Sequence, residues 1–500
     1  MRPAPLQDIR TSEDVGADKL VFRAGELLGQ GHRLALVAAH HDADALRVVH
    51  LFADDAAGGR TELHVRLDPE APHLPTLAGI SFPAGRFERE MHDLHGVTPV
   101  GHPLPRRLVR HDHWPRGWYP MRPDAPPPPA FAEPEGPFPF LEVEGDGVYE
   151  IPVGPVHAGL IEPGHFRFSV VGETIVKLKA RLWYVHKGIE RLFQGRTPER
   201  GLPLAERISG DTAVGHALAY CLAVEEATAT AVPERAQRAR AFLLELERLY
   251  NHVTDIGALC NDVGHGVLNA HALRIREQLL RLNDSVTGHR LLRGGVVPGG
   301  ARLRRLPDGA DLEAVGADIA EVVSLALRHT TVRDRFTGTA RLTPTAARDL
   351  GCLGYVARAS GLDTDARLSH PFHDLGDALS VPVHLTGDVL ARFRVRAEEA
   401  AASVVLARHL AAGLRTGDAT VPLGAPTGPG ASGVGLVEGW RGTIATRVEL
   451  GADGLLTRVK PVDPSFFNWP ALPVALADTI VPDFPLTNKS FNLSYAGNDL

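Results

Sequence analysis

The sequence predicts an α+β protein, in which a small α+β domain precedes a mainly α-helical bundle with a small β-hairpin and a C-terminal sheet. Short apolar and β-branched runs separated by turn residues fill residues 32–67. A proline-rich segment interrupts the chain at 123–147. Apolar residues recur at spacings of three and four along 233–261, which is the period of an amphipathic helix. A chain of 500 residues normally forms more than one hydrophobic core.

Residues 1–122 are predicted to form the first domain. A helical pattern is expected between Leu6 and Gly29, and the runs that follow it predict strands of an antiparallel sheet. Near the end of the domain stands the string FEREMHDLHGV at 87–97. Its charged residues are close enough along the chain to form a solvated face of one helix.

A linker is predicted between the two domains, at 123–147. Four consecutive prolines occupy 126–129, and Pro134, Pro137 and Pro139 follow. Proline donates no backbone hydrogen bond and favours extended conformations, so this segment spaces domains more readily than it packs a core.

Residues 148–500 are predicted to form the second domain. Alternating apolar and polar residues on either side of Gly172 predict a strand pair, and strands are also expected around Trp440 and Gly442 and near 455–459. Between them, helical segments predict an antiparallel bundle. These segments cover approximately 211–231, 233–261, 267–285, 309–330 and 387–414.

Composition excludes several classes of function. A net charge of -7 without long basic runs argues against nucleic-acid binding. The sequence has no run of eighteen apolar residues and no apolar segment of a secretory signal at its start, so we expect a cytoplasmic protein. Its three cysteines are far apart, which predicts neither a disulfide framework nor a four-cysteine metal or iron–sulfur site within this chain.

The first domain resembles a known family. The ERE–D pattern within 87–97 is followed by GHP at 101–103 and by the basic, tryptophan-rich string WPRGWYPMR at 114–122. In this order the strings are similar to the thirty-kilodalton (C) subunit of respiratory complex I, and the similarity covers roughly residues 20–122. That resemblance implies a scaffold domain without cofactors.

The second domain resembles two related families through strings that keep one order along the chain. These strings are GPVH at 154–157, EPGHFR at 162–167, YVH at 184–186, GH at 215–216, ELERLYNH at 245–252, DPSFFNWP at 463–470 and SYAG at 494–497. They are similar to the forty-nine-kilodalton (D) subunit of complex I and to the large subunit of membrane-bound nickel–iron hydrogenases. Fusion of C-like and D-like halves is typical of the formate hydrogenlyase branch of hydrogenases.

The resemblance implies a nickel–iron site that this sequence cannot build. Active members hold the metals with two Cys-x-x-Cys pairs, because low-valent metals need soft thiolate ligands. Aligned on His216, the first pair falls on Ser209 and Thr212, and the second falls near Ser494 and Gly497. No cysteine follows Cys352. We therefore expect no metal and no other resident cofactor in this chain, and loss of nickel–iron hydrogen chemistry.

The resemblance also indicates residues that face the former metal cavity. Glu162 matches a proton-relay glutamate, with a local turn role as the alternative. Asp211, between the lost ligands, either tunes protonation in the cavity or caps the helix that follows it. Arg441 is expected to pair with Asp211 or Glu162. In complex I a tyrosine binds quinone near the first lost ligand, and here that position holds Gly210.

Three histidines complete the set of candidate site residues. His165 or Glu162 is expected to face the cavity in place of the histidine that binds quinone in complex I. His157 and His216 are functional candidates, although a lone histidine is more often a hydrogen-bonded structural residue.

The preferred hypothesis is a peripheral subunit on the cytoplasmic side of the cell membrane, within a multi-subunit oxidoreductase complex. It would couple electron transfer in a B-like iron–sulfur small subunit, facing 209–212, to an H-like membrane subunit under 155–175. Other peripheral-arm subunits are also expected as partners. Two alternatives remain: a quinone-reducing subunit with a remodelled pocket, and a non-catalytic scaffold. The sequence does not identify the electron donor or acceptor, the ion that is moved, or an involvement of formate.

Overall fold

A computed structural model describes residues 10–134, 136, 138–157, 161–428 and 430–500. Three sequence predictions extend beyond this range. The predicted helix from Leu6 begins outside it, Pro137 of the linker lies outside it, and so do residues 158–160 of the segment assigned to the membrane partner. In the described part of 123–147 no helix or strand forms, as a linker requires.

The first part of the chain folds around a four-stranded sheet of order β1-β4-β3-β2, in which β1 is parallel to β4 and the other pairs are antiparallel. A short parallel pair, β5 and β6, lies beside it. The elements are β1 Arg10–Asp14, the 3-10 helix Ala17–Lys19, α1 Leu20–Gly29, β2 Arg33–His41, β3 Leu46–Asp54, β4 Gly59–Leu67, β5 His73–Pro75, α2 Phe82–His95 and β6 Thr98–Val100.

Two expectations for this region were wrong. Residues 10–14 form a strand rather than the start of a helix, because they pair with β4 about fifty residues away, and such pairing overrides local propensity. The charged face of α2 is not solvated, since Glu88 and Asp93 are 1% and 0% exposed. Asp93 accepts hydrogen bonds from the backbone N–H groups of Leu108 and Val109 and so anchors the loop after β6.

The second part begins with an antiparallel sheet of order β7-β8-β9, and Gly172 makes the predicted turn between β8 and β9 with φ of 58°. A long helical region and a final sheet of order β13-β14-β15 follow. The strands are β7 Val148–Val153, β8 His165–Val171, β9 Thr174–Arg181, β10 Val296–Val297, β11 Gly300–Leu303, β12 Gly417–Thr420, β13 Ala431–Gly439, β14 Gly442–Leu450 and β15 Leu456–Val462.

The five helices predicted for the bundle are present as α5, α6, α7, α8 and α13. The helices of the second part are α3 Ile189–Phe193, α4 Pro198–Ala205, α5 Ala213–Ala227, α6 Glu234–Asp262, α7 Gly266–Thr287, α8 Gly309–Arg328, α9 Thr330–Phe336, α10 Pro344–Asp349, α11 Gly354–Ala359, α12 Ala366–Ser369, α13 Val389–Ala412, α14 Pro464–Asn468, α15 Ala471–Ala475, α16 Phe484–Phe491 and α17 Tyr495–Asn498. Two further 3-10 helices are Gly376–Ala378 and Val481–Asp483.

Helix α6 is the centre of the bundle, with α7 and α13 packed against it. Its predicted apolar stripe, from Phe242 to Leu259, is fully buried. The charged residues between the stripe positions are buried too, and they have hydrogen-bond partners inside the protein. Glu245 accepts a 3.1 Å hydrogen bond from Arg367, and Arg248 donates a 3.1 Å hydrogen bond to Glu399.

The two parts of the chain share one hydrophobic core and two buried ion clusters. Val434, Leu436 and Phe466 belong to the same core as the first sheet and α2. At this interface the Lys460 ammonium lies 2.9 Å from Glu90 and 2.7 Å from Glu190. A second cluster joins Arg447 to Glu62 at 3.1 Å. The charged residues of α2 therefore hold the final sheet in place.

Within the described residues, no helix combines the length and apolarity needed to cross a membrane.

The contact between β13 and α5 allows no side chain at Gly435, so Gly435→Ala should destabilise the fold. A Cβ atom there would lie 2.0 Å from the carbonyl oxygen of Ala219, and strand and helix would have to separate. We expect the free energy of unfolding to fall by about 1–3 kcal/mol in chemical denaturation. The control is Gly29→Ala, where an added Cβ meets nothing within 4 Å. Equal stability of the two variants would contradict this packing.

Candidate functional site

The candidate site is a cavity of about 500 Å³ between four segments of the second part. These segments are the loop before α5, the segment between β7 and β8, the turn between β13 and β14, and the chain around α16 and α17. It is lined by His157, Ile161, Glu162, Phe166, Ser209, Gly210, Asp211, Asp262, Arg441, Phe484, Pro485, Asn488, Lys489, Asn492, Leu493, Ser494 and Tyr495. Four of the six candidate residues, but not His165 or His216, are among them.

An ion pair between Asp211 and Arg441 dominates the cavity. The guanidinium donates two parallel hydrogen bonds of 2.8 and 2.7 Å to the carboxylate. Its Nε donates to the carbonyl oxygen of Asn492 at 2.6 Å, and the planar group lies 3.9 Å from the ring centroid of Trp440. The predicted pairing of Arg441 is thus confirmed with Asp211. Glu162 instead accepts a 3.2 Å hydrogen bond from the backbone N–H of Ala496.

The ion pair fixes the charge of Asp211. Burial acts to raise the pKa of this carboxyl group, but the charge and hydrogen bonds of Arg441 outweigh it and lower the pKa to about 2. The hydroxyls of Ser209 and Thr212 each donate a 2.9 Å hydrogen bond that favours the same charged form. Asp211 is therefore ionised at neutral pH. Its side chain is 40% exposed, and contact with water favours the same charged form.

The four positions aligned with the hydrogenase cysteines, Ser209, Thr212, Ser494 and Gly497, lie close together in space. The hydroxyl oxygens of Ser209 and Ser494 are 2.8 Å apart, although 285 residues separate them along the chain. Thr212 accepts a 3.1 Å hydrogen bond from the indole N–H of Trp440. The backbone N–H of Gly497 donates to the Ser494 hydroxyl at 2.9 Å. The segments 209–212 and 494–497, which the resemblance aligns with the two cysteine pairs, therefore form one wall of the cavity.

These four positions do not fit a nickel–iron centre. Hydroxyl groups are hard, weakly acidic ligands, and Gly497 has no side chain at all. A Cβ atom at Gly497 would lie 2.5 Å from the Asp463 carboxyl carbon, so the backbone leaves no room for a thiolate there. The hydroxyls of Ser209 and Thr212 are already committed to Asp211.

The three candidate histidines differ in position. His157 lines the cavity, and its Nε2 lies 2.8 Å from the carbonyl oxygen of Gly164. His165 does not face the cavity, because the alternation of β8 turns it toward the ring of Phe140, 5.4 Å away. His216 is fully buried below the cavity, 2.9 Å from Asp463, which in turn packs against Gly497.

Glu247 is a functional residue that the sequence analysis did not select. Its carboxylate accepts hydrogen bonds from the backbone N–H groups of Val214 at 2.6 Å and Gly215 at 2.9 Å, so it caps α5 from α6. The alternative role of Asp211 as a helix cap is therefore wrong. Burial raises the pKa of Glu247 to about 8. The only sequence signal was its place next to the apolar stripe of α6.

The sequence analysis also did not select Tyr495, Asp262 and Lys489. The Tyr495 hydroxyl has no hydrogen bond of normal geometry, although Asn488 lies beside it, and burial raises its pKa to about 12. Asp262 and Lys489 line the same cavity. Burial raises the pKa of Asp262, and the Lys489 charge opposes this. A tyrosine adjacent to a former ligand position was a signal that the sequence offered.

Comparisons with known families agree with both resemblances. Residues 20–130 match the family described as the 30 Kd subunit of respiratory-chain NADH dehydrogenase. Residues 187–260 match the nickel-dependent hydrogenase family, and residues 262–426 match the 49 Kd subunit of respiratory-chain NADH dehydrogenase. One chain thus combines segments of all three families, in the order that the sequence motifs predicted.

A solved structure with the same fold belongs to the membrane-bound sulfane sulfur reductase, an archaeal respiratory membrane complex. The TM-score is 0.65 at 24% identity, over 71% of this chain and 99% of that chain. This likeness shows the fold.

Curated relatives are similar over most of the chain. Formate hydrogenlyase subunit 5 of Escherichia coli is 33% identical over 87% of this chain and 79% of its own length. Hydrogenase-4 component G of the same organism is 32% identical over 82% and 73%. The fused C/D protein of the NADH-quinone oxidoreductase of Phocaeicola vulgatus is 30% identical over 68% and 70%. The chain therefore belongs to the family of fused C/D-type large subunits of complex I and membrane-bound nickel–iron hydrogenases.

Proposed function

We propose that this chain is a peripheral subunit, on the cytoplasmic side of the membrane, of a multi-subunit oxidoreductase related to formate hydrogenlyase and NADH-quinone oxidoreductase. Its former nickel–iron site holds a polar network in place of metals. The chain couples electron transfer in a partner iron–sulfur subunit to the membrane arm.

The observation that carries the proposal is the network of hydrogen bonds at the positions aligned with the metal ligands. Ser209 contacts Ser494, and Asp211 pairs with Arg441 in the same cavity. Fixed charges in a partly buried cavity respond strongly to a charge that arrives nearby, because the surrounding dielectric is low. A change in the redox state of an adjacent cluster would therefore shift this network.

A chain of polar contacts leads from the cavity into the bundle. Arg441 donates to the carbonyl oxygen of Asn492, whose side-chain amide donates to Asp255 at 2.6 Å. Arg396 of α13 donates to the other oxygen of Asp255 at 2.9 Å. Rearrangement of the ion pair would thus displace both α6 and α13, the two helices at the centre of the bundle.

Exposed apolar residues support the position assigned to the membrane partner. Val156 is 86% exposed and Ile161 is 49% exposed, and both lie in the segment 155–175 next to the cavity. Apolar side chains left in solvent at one edge of a subunit mark a contact surface. The B-like iron–sulfur subunit is assigned to the loop at 209–212, and other peripheral-arm subunits to the remaining surface.

A quinone-reducing role is the second candidate, and one observation favours it. Tyr495 and His157 line the same cavity, so a phenol and an imidazole are available to hydrogen-bond the two oxygens of a quinone, although Gly210 stands where complex I has its tyrosine. Volumes of about 300–1,000 Å³ are usual for such ligands. A non-catalytic scaffold is the outcome if neither role is found.

The purified complex should contain no stoichiometric nickel in this subunit, because the four ligand positions offer no thiolate. Elemental analysis by mass spectrometry is the measurement, with a nickel-containing hydrogenase large subunit as the positive control. One nickel per chain would overturn the proposal, whichever residues held it.

Neutralising the cavity carboxylates should uncouple the complex without dismantling it. We expect Glu162→Gln combined with Asp211→Asn to lower ion translocation per electron several-fold, because the two changes remove the negative charges through which the proposed coupling acts. Assembly is checked by native gel electrophoresis. Asp311→Asn, an exposed carboxylate on α8, is the matched control. Normal assembly with unchanged translocation would favour the scaffold.

If the cavity binds quinone, Tyr495→Phe should weaken binding of a quinone analogue by about 5-fold, which is the value of one hydrogen bond. Binding is measured by titration of the assembled complex. Tyr149→Phe is the control, because that hydroxyl donates to Gly172 on the outer sheet, away from the cavity. Absence of analogue binding to the unmodified complex would exclude the quinone role and leave the coupling role untouched.

A further inference from the structure

A second, larger cleft lies between the two parts of the chain, and Trp469 of its lining packs against Tyr495 of the candidate site. Its volume is about 960 Å³, and no residue lines both cavities. Its walls are formed by helix α2, the loop after β6, the linker, strand β9 and helix α15. Its lining residues come from the ranges 78–108, 138–142, 177–183 and 469–473.

The charges of this cleft are unbalanced. Six cationic side chains line it, and the one acidic residue among the described lining residues, Glu142, is exposed. The six are Arg86, Arg89, Arg106, Lys177, Lys179 and Arg181. Lys179 has an ion pair, with Glu150. The four arginines form no ion pair with any described residue and donate mainly to carbonyl oxygens, as Arg89 does to Arg106 and Arg107.

Two of these arginines are buried at the inner end of the cleft. Arg86 is 8% exposed and Arg181 is 4% exposed. Burial lowers the pKa of Arg86 to about 9 and also lowers that of Arg181, and the nearby carboxylates, Glu90 for Arg86 and Asp112 and Asp93 for Arg181, offset this only in part. The Nε of Arg181 has no hydrogen-bond partner. Buried charges are normally paired, so this end of the cleft lacks an anion.

Aromatic rings hold the arginines in place. The guanidinium groups of Arg86 and Arg181 lie 5.6 and 5.7 Å from the ring of Trp183. Those of Arg181 and Arg106 lie 4.7 and 5.6 Å from the ring of Phe138. Such stacking orients cations without neutralising them, and an anion could bind to the N–H groups that carbonyl oxygens do not already occupy, such as the Nε of Arg181.

The mouth of the cleft is apolar. Phe82, Leu104 and Leu141 line it and are 47%, 44% and 57% exposed. A ligand that satisfied both ends would place an acidic head group against the buried arginines and an apolar chain against these residues. The volume of the cleft is within the usual range for a small-molecule site.

We propose that this cleft binds an anionic amphiphile, a long acyl chain with a carboxylate or phosphate head group, whose head lies between Arg86, Arg89 and Arg181. Free fatty acids and acidic phospholipids share this chemistry. The site is independent of the former metal cavity and of the function proposed for it.

Binding is tested on the purified full-length chain with 9,10-dibromostearate, because bromine quenches the fluorescence of tryptophan on contact and Trp183 and Trp469 line the cleft. We expect saturable quenching by the acid and none by its methyl ester. Leu104→Asp and Arg106→Glu, both at exposed positions, should weaken binding by at least about 10-fold, because like charges are placed beside the ligand. Leu325→Asp and Arg328→Glu make the same changes at exposed positions of α8 and should leave binding unchanged.

A second arm distinguishes the two sources of ligand. Vesicles of dibromo-phosphatidylglycerol quench if an acidic phospholipid enters the cleft, with dibromo-phosphatidylcholine as the neutral comparison. Quenching by the free acid but not by its methyl ester supports the proposal and identifies a fatty acid as the ligand. Quenching by phosphatidylglycerol but not by phosphatidylcholine supports it and identifies an acidic phospholipid. Equal quenching by neutral ligands, or equal binding by cleft and control variants, overturns it. So does a photo-crosslink from position 104 to another polypeptide in the assembled complex, because the cleft is then an interface with another protein.

Discussion

The two-point contact between Arg441 and Asp211 holds the candidate site together, because one guanidinium joins three distant segments. It connects the loop before α5 to the β13–β14 turn through Asp211, and both of these to the C-terminal segment through the carbonyl oxygen of Asn492. Stacking on Trp440 fixes the plane of the group, and the same indole donates to Thr212. The hydroxyls of Ser209 and Ser494 add a further contact between the loop before α5 and the C-terminal segment.

Pairing of buried charge is the rule through most of the interior. Arg358 contacts Glu399 and Glu438, Arg396 contacts Asp255, and Lys460 is shared by two glutamates. Burial of an ion costs several kcal/mol unless a partner compensates it, so these clusters demand a particular arrangement of α6, α13 and the final sheet. The arginines of the cleft between the two parts depart from this rule. Arg392 of α13 is a further exception, because it is fully buried and donates to the Ser490 hydroxyl and to two backbone carbonyl oxygens.

The sequence predicted those elements whose signal is local. The apolar period of α6, the glycine turn at Gly172 and the hairpin around Trp440 each depend on neighbouring residues, and all three are present. Strand β1 was missed because its sequence is polar and its order comes from pairing with β4. Family motifs brought Ser209 and Ser494 together, which no local pattern can do. Neither source revealed the cleft. Its cations come from α2, from the loop after β6 and from β9, and they lie close together only in the folded protein.

The electrostatics of the candidate site limit which groups can exchange protons during coupling. Asp211 has a pKa of about 2 beside Arg441, so it keeps its charge across the physiological range and acts as a fixed anion. Glu247 differs, because burial raises its pKa to about 8 and the charge of Asp211 adds to that shift. Any change that weakens the hold of Arg441 on Asp211 alters the field at Glu247, which caps α5. In the coupling role that we propose, the ion pair would sense the change in charge, and the protonation of Glu247, which caps α5, would follow it.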